Sequence, residues 1–127
     1  MTRLLLDTNV IINIVNRTEK KLPRSIQTVL ESEEAFFRAS VVSIWEIAIK
    51  RATGRLKLEV TPHDVPKILA MLNVDILPMT IDHALEVAHP EPATKDPFDR
   101  LLLAVCACEG MKLVTTDEKL AGHRLVY

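Results

Sequence analysis

At 127 residues the chain has the length of one domain, long enough to bury about two-thirds of its unfolded surface. Its residues are 48% hydrophobic but only 4% aromatic, so aliphatic side chains must build the core. The formal net charge of −1 excludes a global basic field, and any attraction for nucleic acid must come from local patches. The apolar run after Met1 stops at Asp7, far too early for a secretion signal. The run from Leu101 to Cys108 is too short to span a bilayer. A cytoplasmic chain without membrane contact is expected. Cys106 and Cys108 lie two apart on a predicted helix and read as buried free thiols, which fits that compartment.

Leu4, Leu5 and Leu6 form a short unbroken apolar run ended by Asp7, the pattern of a strand buried on both faces. Thr8 to Asn16 is rich in β-branched residues. Its Val10, Ile11, Ile14 and Val15 nevertheless make a helical stripe behind Asp7 or Thr8 as N-cap. A polar, basic loop runs from Asn16 to Arg24, and a helix from Ser25 to Ser32. Glu34 to Ala39 is a second strand. Ser40 or Ser43 then caps a helix through Arg51, stopped by Gly54. Leu56 to Val60 alternates like a short extended piece. A helix begins at Thr61–Asp64, where Pro62 or Pro66 suits its first turn, and reaches about Leu72. Asp75 to Met79 is a third strand, with Pro78 marking its end or a sheet edge. Ile81 to Ala88 is a helix, and His89 to Pro97, with three prolines, is a loop. Phe98 to Gly110 is a helix, Lys112 to Thr116 a fourth strand, Glu118 to Ala121 one turn, and Arg124 to Tyr127 a closing strand. Strands alternating with helices predict one α/β domain over residues 1–127, a three-layer α/β/α sandwich with a mainly parallel central sheet.

Ligand chemistry in such sheets sits beyond the carboxyl ends of the strands. Asp7 and Asp117 stand there, Asp99 opens the helix before strand four, and Glu46 lies on the helix after strand two. Each has a plain alternative. Asp7 and Asp117 are suitable helix caps, and Asp96 and Asp99 flank Pro97 where acids offset a helix dipole. Ser43 to Glu46 matches a capping box, a reading that fails if Ser40 is the cap. Capping does not require several acids to converge on one sheet edge, however. Clustered carboxylates repel and cost stability unless a cation joins them. Oxygen ligands without neighbouring His or Cys suit Mg²⁺ or Mn²⁺.

LLLDTNVII, SIWEIAIKRATGRLKL, DPFDRLLLAVCACEG and LVTTD, in this order and spacing, resemble the PIN-domain ribonucleases, in particular the VapC-type toxins of toxin–antitoxin pairs. The resemblance implies an acidic metal site made of Asp7, Glu46, Asp99 and Asp117. Asp7 and Asp99 would be the firmest ligands to one or two Mg²⁺ or Mn²⁺ ions, with Glu46 and Asp117 ligating directly or through water. Thr8, Asn9 and Thr115 would support these carboxylates, and Asp96 would cap the helix that carries Asp99. It further implies metal-assisted hydrolysis of RNA phosphodiesters leaving 5′-phosphate and 3′-hydroxyl ends, a homodimer, and a cognate antitoxin that places a basic side chain in the acidic site. Two positions depart from the pattern. Thr94-Lys95 stands where relatives often carry His, and Asn9 where they often carry a bulkier residue or His.

Lys50, Arg51, Arg55 and Arg100 lie close in sequence to the acids and are candidates for holding the RNA backbone. With no net positive charge, recognition of a particular RNA shape or single-stranded loop is expected over tight non-specific binding. Trp45 reads as core or interface, and the four histidines show no ligand spacing. Two other readings compete. A carboxylate-Mg²⁺ phosphatase usually has a second acid two residues after its nucleophile, where this chain has Asn9. A non-catalytic PIN-like binding module would use its acids only as caps.

Overall fold

The computed structural model describes residues 1–127. Four strands, β1 (Thr2–Leu6), β2 (Ala35–Ser40), β3 (Asp75–Leu77) and β4 (Lys112–Val114), form one sheet in the order β3-β2-β1-β4. Every pairing is parallel: Leu4 faces Phe37 on one side and Lys112 on the other, and Ser40 faces Leu77. Six helices pack on it: α1 (Thr8–Val15), α2 (Arg24–Leu30), α3 (Val41–Ala52), α4 (Val65–Met71), α5 (Ile81–Leu85) and α6 (Pro97–Glu109).

The three leucines of β1 are fully buried and serve two cores, because successive strand residues point to opposite faces. Leu4 and Leu6 join Val10, Ile11, Ile26, Ile47 and Leu69 on the face covered by α1, α2 and α4. Leu5 joins Leu102, Val105 and Leu113 under α6 on the other. This is the expected α/β/α sandwich. From β1 the chain adds β2 and β3 on one side, then returns with β4 on the other. The strand order therefore reverses between β1 and β4, where the crevice of an open parallel sheet forms.

Several boundaries differ from the sequence reading. Leu56 to Val60 is not a strand. Its apolar residues pack on the core, while the Asn16 side chain donates to the Lys57 carbonyl at 3.0 Å and accepts from the Glu59 N–H at 2.8 Å. One amide thus satisfies backbone groups that a sheet ladder would otherwise take. α5 stops at Leu85 rather than Ala88. The closing strand is reduced to one parallel bridge between Leu113 and Val126. The helix after β2 is capped by Ser40, whose hydroxyl accepts from the Val42 N–H at 3.0 Å. That leaves Glu46 well inside α3 and removes the capping-box reading. Gly54 follows α3 in the left-handed region at φ 72°, the conformation predicted for the helix stop. Both thiols are free, but only Cys106 is buried; Cys108 is exposed, its Sγ turned to the Asp82 carbonyl at 3.6 Å rather than into the core.

Candidate active site

Asp7 closes β1 and opens α1. Its backbone N–H continues the ladder to Val114 at 3.0 Å, and its Oδ1 accepts from the Thr8 N–H at 2.7 Å as the helix N-cap. Its Oδ2 accepts from the Thr115 hydroxyl just past β4. The same Thr115 oxygen accepts from the Asp117 N–H at 3.0 Å. One threonine therefore ties the end of β1 to the end of β4. Asp117 in turn caps the last short helical turn through Lys119 N–H, at 2.9 Å.

Thr8, at the first position of α1, performs a similar task towards α3. Its hydroxyl donates to Glu46 Oε1 at 2.6 Å and shares a 2.9 Å hydrogen bond with the Ser43 hydroxyl. The other Glu46 oxygen is held by Lys50 at 2.6 Å, one turn along the same helix. Asn9 donates to the Thr116 hydroxyl at 2.9 Å. Asp96 caps α6, accepting from Phe98 N–H at 2.8 Å and Asp99 N–H at 3.4 Å, and so fixes the turn from which Asp99 projects.

These groups line one cavity of 340 Å³ at the carboxyl ends of β1 and β4. It holds Asp7, Glu46, Asp96, Asp99 and Asp117 with Thr8, Asn9, Thr116, Lys50 and Arg55, and only Ile12 and Leu56 are apolar. A larger hollow of 630 Å³ opens at the opposite end of the strands beside Met1, Phe36 and Asp75. No cluster of acids converges on it, and size alone does not make it the chemical site.

The carboxylates act on one another. Burial raises Asp7 above its ordinary range and nearby Glu46 and Asp117 raise it further, while the Thr115 and Thr8 hydrogen bonds work against the shift. Asp99 is pushed up to about 7, first by burial and then by the charges of Asp7, Asp96, Asp117 and Glu46. Lys50 is held above its usual range, chiefly by its hydrogen bond to Glu46. The thiol of Cys106, behind the site, is raised by burial to about 12 and is not a nucleophile.

The structure thus brings the four predicted acids to one cavity, with Thr8, Asn9 and Thr115 around them. Of the predicted basic residues, Lys50 and Arg55 line it and Arg51 does not. Arg100 is corrected more sharply. Its Nε donates to the Thr94 carbonyl at 2.8 Å and its guanidinium pairs with Glu91, which leaves it packing the loop rather than facing the cavity. Trp45 is 61% exposed, in an edge-to-face pair with Phe98 at 5.5 Å between ring centroids, so it is no core residue. Thr94 was not legible. It is buried, its hydroxyl accepts from Asp96 N–H at 3.1 Å and reaches Asp99 Oδ2 at 3.4 Å. His83 was also passed over. It is a buried structural residue in a reciprocal cap with Thr80 and 3.1 Å from Glu109, joining α5 to α6.

As the side chains stand, no three His, Cys, Asp or Glu groups form a ready-made metal cage. The donor chemistry nevertheless suits a hard cation: carboxylates, hydroxyls and an amide, with no imidazole or thiol lining the cavity. Mg²⁺ keeps several waters and takes one or two carboxylates directly, so a complete protein cage is not required.

A parallel sheet carrying an acidic cavity at its switch point defines an α/β protein with a carboxylate-lined site. The chain belongs to the PIN domain family, whose sequence profile matches residues 4–124. No curated protein sequence matches it. Among solved structures, a chain of a toxin-antitoxin complex from Klebsiella pneumoniae has the same fold, with a TM-score of 0.63 and 19% identity over 98% of this chain and 95% of that one.

Proposed function

We propose that this PIN-domain chain is a divalent-metal-dependent endoribonuclease, the toxin of a toxin–antitoxin pair, whose expression alone arrests translation or growth. The observation that carries this reading is the convergence of Asp7, Glu46, Asp99 and Asp117 on one cavity; burial and then the neighbouring charges push Asp99 up to about 7. Four carboxylates from separate elements in one cavity destabilise the fold, and no capping role calls for it. Asp7 and Asp99 would hold one or two Mg²⁺ or Mn²⁺ ions, with Glu46 and Asp117 reaching them directly or through water. Such ions, when bound, polarise a phosphate and make water acidic enough to act near neutral pH.

The protein's own groups supply the rigidity that chemistry needs. Thr115 and the Thr8 N–H hold Asp7, the Thr8 hydroxyl holds Glu46, and Asp96 with Thr94 orients Asp99. Arg55, on the cavity wall, meets the RNA backbone. One basic residue gives little non-specific affinity, so the target is a particular RNA shape or single-stranded loop. The neighbour from K. pneumoniae comes from a toxin-antitoxin complex, which supports an antitoxin partner; the acidity of the cavity suits a basic side chain from that partner. No helix is long and apolar enough to cross a membrane.

The test is direct. RNA cleavage should require Mn²⁺ or Mg²⁺ and stop in EDTA, while small phosphate esters remain intact. Full RNA cleavage in EDTA would sink the reading, and hydrolysis of the small ester alone would transfer it to the phosphatase class.

The proposed assembly is a homodimer through α3. Val41, Trp45 and Ile49 recur every four residues along it and are all exposed, as are Met79, Ile81 and Leu85 beyond β3. Ser40 pairs with Leu77, so Val41 and Met79 leave neighbouring strands at the same end. An aromatic anchor within an aliphatic surround is the make-up of an interface centre. Trp45→Glu should halve the mass seen by light scattering at unchanged helix content; a wild-type protein that is already monomeric at high concentration would refute the dimer.

A further inference from the structure

The acidic cavity already contains a cation of its own. Lys50 Nζ lies 2.6 Å from Glu46 Oε2, a contact between a buried carboxylate and an ammonium that keeps 38% of its side-chain surface in solvent. The geometry is fixed from both sides. The Glu46 Oε1 is held by Thr8 at 2.6 Å, so the remaining oxygen is the one Lys50 occupies. The lysine lines the same cavity as Asp96 and Asp99 and is in electrostatic contact with both. It is therefore not a surface ion pair of the kind that contributes little. It is the nearest positive charge to a cluster of acids.

From this we infer that Lys50 is a resident counter-ion that competes with the divalent metal for Glu46. The inference rests on the metal-site reading above and adds a regulatory term to it. In the metal-free protein the ammonium offsets part of the carboxylate repulsion, which lets the fold form with the cavity empty of metal. An arriving dication meets a charge of its own sign and finds one Glu46 oxygen taken. Its binding free energy is reduced by the work of moving Lys50 off that oxygen. The displaced ammonium remains on the cavity wall, since its partner Glu46 and its own backbone lie on one helix at a four-residue spacing. Lys50 thus lowers metal affinity while protecting metal-free stability, and both effects belong to its charge.

Two substitutions separate charge from shape. Lys50→Gln removes the charge and Lys50→Arg keeps it. Calorimetric titration with Mn²⁺ near pH 8 should give Lys50→Gln a several-fold tighter Kd than wild type, with Lys50→Arg close to wild type. In thermal melts, Lys50→Gln should lower the melting temperature in EDTA yet gain more from saturating Mn²⁺ than wild type gains. Equal or weaker Mn²⁺ binding by a folded Lys50→Gln protein overturns the competition while leaving the metal site intact. Failure of the wild type and Lys50→Gln alike to bind Mn²⁺ overturns the metal site and this inference together.

Discussion

Replacing Asp99 with Asn is expected to cut RNA cleavage by orders of magnitude and to raise the melting temperature of the metal-free protein. Both effects follow from one cause. Asp99 is half-buried and repelled by Asp7, Asp96, Asp117 and Glu46, which together with burial hold it near 7. Asn has nearly the same shape, and its carbonyl oxygen still accepts from Thr94. What it lacks is the charge that destabilises the fold and that a cation needs. The loss of one preorganised electrostatic group of this kind lowers a rate by roughly 10²–10³-fold. Because the carboxylate keeps much of its contact with solvent, the relief of repulsion is on the order of 1 kcal/mol, or about 4 °C in a chain of this size. Single-turnover cleavage assays and thermal melts in EDTA measure the two together. Reduced activity accompanied by reduced stability would mean that Asp99 is a structural residue, capping or packing α6.

The second large effect concerns pH. The folded protein keeps a proton on Asp99 up to about 7, whereas an unfolded chain releases it near 3.8. Across that interval the folded state binds more protons, so its stability is greatest at the acid end and falls as pH rises towards 7. Asp7, shifted in the same direction, adds to the slope. The metal-free protein should thus melt at a lower temperature at about pH 8 than at about pH 5. On the metal-site reading Mn²⁺ should reverse the penalty, because it would bind the ionised carboxylates and would have to displace protons when they are not ionised. The Mn²⁺-induced rise in melting temperature should consequently be larger near pH 8 than near pH 5. A rise that is equal at both pH values, or larger in acid, contradicts an acidic metal site built on Asp99.

The sheet and its central strand were legible because Leu4 to Leu6 are buried on both faces, and that condition leaves a plain trace in sequence. Asp7 was visible for the same reason, as the first charge after the run. Glu46 was ambiguous between two caps three residues apart, and only the register of Ser40 at the end of β2 decided it. The spacing of Glu46 and Lys50 was also open to reading, since a glutamate four residues before a lysine on a helix is a favourable pair. Thr94 could not be found this way. Its burial depends on Arg100 folding the 91–94 loop back onto α6, a tertiary event with no periodic signature. The alternation of Leu56 to Val60 misled for a related reason: it reports one buried face, and here that face is covered by a segment whose hydrogen bonds go to a single Asn16 side chain.

The assembly of the cavity from residues 7, 46, 99 and 117 has a consequence for the protein during its synthesis. The first acid leaves the ribosome early, but the Thr115 bridge that fixes it and the last acid arrive only with β4. β4 takes its place at the edge of the finished sheet, beside β1, and is the last strand to join the β3-β2-β1 order. A nascent chain is thus without a completed site until β4 has emerged and docked. On the toxin reading proposed above, the interval before β4 docks is one in which an antitoxin would meet an unfinished, harmless chain.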